Sequence, residues 1–119
     1  MKRVSFKVAK ALKEAGYPQE KHNGMYFKDG DDTPLNIIVK SVLGGNVDEY
    51  LISAPIVFEV WLWLWKEKGI YLNIDSKVRN MTGVLIIIDE KAIKFIEEND
   101  PEEAIVSAIE YLVDKDLIK

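Results

Sequence analysis

The stretch Ser53–Ile74, SAPIVFEVWLWLWKEKGIYLNI, decides how the rest of the chain is read. Ser53 offers a hydroxyl that can accept from an unpaired first-turn N–H, and Pro55 follows where a missing N–H costs nothing. Lys66 and Lys68 ahead of Gly69 give a helix end: cations at the negative end of the dipole, then a residue free to take positive φ. The spacing predicts a helix over Pro55–Lys68 and a strand over Ile70–Ile74. Trp61, Trp63 and Trp65 also alternate with Leu62 and Leu64, as in a strand. Such a strand would run well past the usual length of about five or six residues and would ignore both end signals, so the helix is preferred.

At about 100° per residue, Val57, Val60, Trp61, Leu64 and Trp65 share one face of that helix. Phe58 and Leu62 widen it beyond the usual apolar stripe, while Trp63 falls in line with Glu59 and Glu67. A helix apolar on nearly every side is buried twice within its own chain or meets a partner. Two-sided burial is hard to arrange in 119 residues, so a contact surface built from Phe58, Trp61, Leu62 and Trp65 is expected.

Outward from this stretch, the chain has the size of one domain, residues 1–119, with one core. It is 48% hydrophobic and 30% charged, an ordinary globular balance. No apolar run reaches the length of a membrane span, and MKRVSFKVAK lacks the apolar core of a secretory signal. There is no cysteine, which excludes disulfides, thiolate catalysis and cysteine metal sites and points to the cytoplasm. The net charge of −4 is uneven: residues 1–28 hold seven Lys/Arg against two Glu, the remainder nine against eighteen Asp/Glu. An acidic body argues against broad nucleic-acid binding.

Ser5–Gly16 reads as an amphipathic helix, with Val4, Val8, Ala11, Leu12 and Ala15 on one face. Ser5 is its cap and Gly16 its stop. Met25–Lys28 and Leu35–Val42 read as strands joined through Asp29-Gly30. Val47–Ile52 reads as a connector. Val84–Asp89 is a continuous apolar run, which predicts a strand buried on both faces. Lys91–Glu98 fits helix or strand by pattern; the short Asp89-Glu90 link favours a hairpin partner for Val84–Asp89. Asp100-Pro101-Glu102-Glu103 is a helix start, with Asp100 as cap and Pro101 in the first position. That helix runs to about Asp114 on a stripe of Ile105, Ala108, Ile109 and Leu112. The fold class is therefore α+β: three helices on a mainly antiparallel sheet, in the order α-β-β-α-β-β-β-α.

The chemistry-bearing residues are sparse. The single histidine, His22, lies in a Lys-His-Asn-Gly turn and has no second histidine to share a zinc ion. Asp29, Asp31 and Asp32 suggest a calcium loop, but the sixth and twelfth positions are Pro34 and Lys40 instead of Gly and Glu. There is no phosphate loop of the GxxxxGK[ST] type and no GxSxG. No catalytic residue, metal site or cofactor is expected.

Ala11–Gln19 (ALKEAGYPQ), Ile52–Pro55, Trp63-Leu64 with Lys66–Ile70, and Pro101–Ala104 with Ala108-Ile109 together resemble a family of short uncharacterised proteins of gut Bacteroidetes-type bacteria and their phages. The resemblance covers most of the chain, through short and mostly structural motifs, and brings no function or catalytic residue with it. It implies that the Trp63-Leu64 pair faces inward and Trp65 outward, the reverse of the wheel. Phe58, Leu62 and Trp65 then stand apolar where similar proteins are polar. Their i, i+4, i+7 spacing makes one added stripe, as a homodimer contact would need. The leading expectation is thus a self-associating interaction module with no enzymatic activity. The second is a phage-related accessory or regulatory protein that meets another protein or a nucleic acid through Lys7, Lys10 and Lys13. A small enzyme is the third.

Overall fold

The computed structural model describes residues 3–19, 25–27, 51–53, 55–76 and 82–118. Within them the element order is α1 (Phe6–Glu14), β1 (Met25–Phe27), β2 (Leu51–Ser53), α2 (Val57–Lys68), β3 (Ile70–Ser76), β4 (Thr82–Ile88), β5 (Lys91–Glu98) and α3 (Pro101–Asp114). This is the expected α+β order. The strand over Leu35–Val42 and the Asp29-Gly30 turn lie outside the described residues, and the second strand in the order is Leu51–Ser53, at the end of the segment read as a connector. The chain divides into two compact units, residues 3–56 and 57–118.

In the first unit, Ser5 Oγ accepts from the Val8 N–H at 3.3 Å and starts α1. At the other end Gly16 takes φ +95°, so that the Gly16 N–H donates to Lys13 O and the Tyr17 N–H to Leu12 O. That pair of bonds closes the helix with a glycine in the left-handed region. Val8, Ala9 and Leu12 are buried along α1, which packs on β2. β1 and β2 are antiparallel, with Met25 opposite Ser53.

The start expected for the central helix is corrected here. Ser53 is not its cap: it ends β2, and its N–H donates to Gln19 Oε1 at 2.9 Å. The Pro55 carbonyl accepts from the Val4 N–H at 3.0 Å, and Ile56 bridges Arg3. Residues 55 and 56 thus continue an extended pairing with the N-terminal segment, and the helix begins at Val57. Its other end is as expected, with Gly69 at φ +64°.

In the second unit, β3, β4 and β5 form an antiparallel sheet in that order. Ile70 pairs with Ile88, Leu72 with Ile86 and Ile74 with Val84. Lys91–Glu98 is a strand, as the short link implies, and a bulge next to Ile86/Ile87 leaves Ile93 as the extra residue of β5. Ile70, Leu72, Val84 and Ile86 are buried, as are Val57, Val60 and Leu64 of α2 and Ala104, Ile105, Ala108, Ile109 and Leu112 of α3. α2 packs on β3 and α3, and α3 packs across all three strands. Both helices therefore cover the face that carries Ile70, Leu72, Val84 and Ile86. The other face carries Tyr71, Asn73, Leu85, Ile87 and Phe95, all half-buried or exposed. β4 is thus fully covered on one face only, against the expectation from its continuous apolar run: every helix of this unit sits on one side.

α3 starts as its sequence dictates. Asp100 Oδ1 accepts from the Glu103 N–H at 2.9 Å, and Pro101 opens the first turn. Its end closes like that of α1, with Asp116 at φ +54° in the place of glycine.

Candidate functional site

α2 turns three of its side chains deep into the unit, at Val57, Val60 and Leu64. This spacing of three and four leaves the tryptophans to its flanks. Trp61 is half-buried, and its indole Nε1–H donates to the Leu72 carbonyl of β3 at 3.0 Å. Trp63 is half-buried with the Lys68 ammonium 5.3 Å from its ring centroid. Trp65 is 47% exposed and Leu62 48%. The wheel's placement of Trp65 on the buried face is corrected: Trp65 leaves the core and Trp63 is the more covered of the two. Phe58 is half-buried, its ring centroid 6.0 Å from that of Trp61.

Between this flank of α2 and β3 lies a groove of about 330 Å³ lined by Trp61, Leu62, Trp65, Tyr71, Leu72 and Asn73. Trp65 and Tyr71 form its most exposed wall, with ring centroids 6.1 Å apart and planes tilted by 55°. Tyr71 is itself 51% exposed. The groove gathers three of the four residues expected at a contact surface, Trp61, Leu62 and Trp65; Phe58 is not among its lining. Tyr71, Leu72 and Asn73 were not foreseen as part of it. The signal was present: the alternation of Ile70–Ile74 sets Tyr71 off the core face, and an aromatic there has no core to fill.

The groove offers apolar area, three aromatic side chains and one amide side chain. Among the described residues no group of three or more His, Asp or Glu side chains lies close enough to hold a metal ion. His22 and the cluster Asp29, Asp31 and Asp32 lie outside them. On α1, Lys7 and Lys10 are exposed and Lys13 half-buried. No helix among the described residues is long and apolar enough to cross a membrane. No protein-family model, curated protein or solved structure matches this chain.

Proposed function

We propose that the chain is a cytoplasmic, non-enzymatic interaction module that self-associates through the outer flank of its central helix. One observation carries this reading: Leu62, Trp65 and Tyr71, each about half exposed, stand together around a single apolar groove. Large apolar side chains scattered singly on a surface need no partner, whereas a contiguous group with two aromatics has the composition of an interface core. A second copy offers the same group, and a two-fold contact requires a self-complementary patch. Light scattering of the full chain tests it. A dimer is expected for the wild type and a monomer for Trp65→Glu, since a carboxylate buried in the contact would lie unpaired. A wild-type chain that stays monomeric at high concentration overturns the proposal.

A further inference from the structure

The three-stranded sheet has one dressed face and one bare face. α2 and α3 both pack on the side of Ile70, Leu72, Val84 and Ile86, and among the described residues of this unit no helix or strand lies over the other side. The strand register lays out what that other side carries. One row across the strands is Tyr71, Ile87 and Ala92, and the next is Asn73, Leu85 and Phe95. Ile93, the extra residue at the bulge, follows Ala92 and is 42% exposed, and Phe95 is 37% exposed. Residues in register lie about 5 Å apart, so these side chains make one continuous surface, apolar but for Asn73. Neither row holds a charged residue; Glu97, opposite Gly83, stands in the one beyond. Tyr71 belongs to this surface and to the groove at once, since its ring stands against that of Trp65. The apolar patch therefore runs from Leu62 and Trp65, over the margin of β3, to β5. A contiguous patch of this kind marks a contact site.

We infer that the self-association proposed above, on which this inference rests, buries the bare face of the sheet against the same face of a second copy. Area favours this over a contact of the α2 flank alone. Leu62, Trp65 and Tyr71 at half exposure supply on the order of 300 Å² per copy, well short of the roughly 600–1,000 Å² per partner of a stable interface. Three strands paired over seven residues present a face about 14 Å wide and roughly 23 Å long, which adds on the order of 300 Å². Groove and sheet face together reach the lower bound of a specific interface; neither does so by itself.

Self-complementarity favours a second copy as the occupant. Two sheets packed face to face keep their strands within about 30° of each other. A two-fold axis along β4, midway between the sheets, keeps every residue at its own level and lays the β3 margin of one copy over the β5 margin of the other. Leu85 then meets Leu85 and Ile87 meets Ile87 at the axis. Tyr71 comes over Ala92, whose small side chain leaves room for the phenol ring, and Asn73 comes over Phe95. Leu62 and Trp65, beyond β3, meet the outer margin of β5 at Ile93, so the groove of each copy receives a side chain of the other. Glu97 falls at the rim, where a charge keeps its water.

Methyl NMR of the unmodified chain with a soluble paramagnetic chelate, over a concentration series alongside sedimentation, tests this. Dimerisation that shields the Leu85, Ile87 and Ile93 methyls from the chelate is the expected result. The relaxation added at Ile87 should fall towards about a tenth where nine-tenths of the chain is dimeric, because only the monomer then exposes it. In a mixture of differently labelled chains, isotope-filtered cross-peaks should join the Tyr71 ring of one copy to the Ala92 or Ile93 methyls of the other. A dimer whose Ile87 and Ile93 methyls relax as in the monomer overturns burial of this face and leaves self-association through α2 standing. Methyls shielded equally at every concentration also overturn it, because the face is then covered within one chain. A monomer at every concentration overturns both proposals.

Discussion

Gly83 lies beneath the ring of Phe95, so close that an added Cβ would fall 2.6 Å from the ring's Cε1. Glycine in a strand weakens it, but an aromatic laid across the bare backbone recovers contact and shields the ladder. Two effects of Gly83→Ala therefore oppose each other. With Phe95 in place, the methyl expels the ring, and a loss of about 1 kcal/mol is expected. In a Phe95→Ala background there is no ring to expel, and alanine's lower backbone entropy should stabilise the strand by roughly 0.5 kcal/mol. Urea denaturation of the four chains of this cycle gives the answer; additive effects would mean that the ring is not seated on Gly83. Asp100 makes a simpler case. Its carboxylate holds the Glu103 N–H, so Asp100→Ala should cost about 1 kcal/mol, and Asp100→Asn or Asp100→Ser should restore most of it. Trp63 and Trp65 show where pattern alone runs short. They are two residues apart on a helix apolar almost all round, and a wheel cannot rank the sides of such a helix. The side is set by where α3 and β3 arrive.

The β4–β5 hairpin turns on Asp89 and Glu90, both in the left-handed region at φ +52° and +66°. A two-residue turn of this hand matches the twist of the strands and prefers Asn-Gly or Asp-Gly. Asp89 suits its place, whereas Glu90 bears a steric cost of about 1 kcal/mol. Glu90→Gly should therefore raise the urea midpoint by a corresponding amount with an unchanged slope, and a lower midpoint would show that the turn tolerates Glu90 without strain. At this scale most of the described elements were legible. The caps at Ser5 and Asp100, the stop at Gly69 and the hairpin link are local chemistry, written within a few residues. Ser53 was not legible for the opposite reason. Its backbone N–H is taken by Gln19, 34 residues earlier, so a residue with the look of a helix cap serves a strand. The groove was half legible: the helix side showed in Leu62 and Trp65, while Tyr71 and Asn73 became part of it only once β3 folded back beside α2.

For the molecule as a whole, self-association links stability to mass action. A chain that dimerises only when folded gains stability as its concentration rises, so its Tm should increase across a tenfold concentration series. For Trp65→Glu the series should be flat. A flat series for the wild type would count against a dimer formed only by the folded state. The acidic balance, −4 overall, also predicts that the exposed Lys7 and Lys10 of α1 do not retain nucleic acid at physiological salt. Retention that weakens steeply with added salt, in a gel-shift titration, would return weight to α1 as a functional surface.

The path of the backbone in the second unit has a kinetic consequence. α2 contacts β3, β3 pairs with β4, β4 with β5, and α3 packs back on β5, so each element meets the one that follows it. The Ser107 hydroxyl, donating to Glu98 Oε1 at 2.8 Å, ties the last of these steps across a short link. Contacts between successive elements predominate, α3 alone reaching back to α2, β3 and β4, and loop closure costs little at each successive step. The β1–β2 pair is different, because Met25 must find Ser53 across a long intervening segment. In pulse-labelled refolding, the amides of β3–β5 should gain protection before those of β1 and β2. Protection in that order would place nucleation in the C-terminal half.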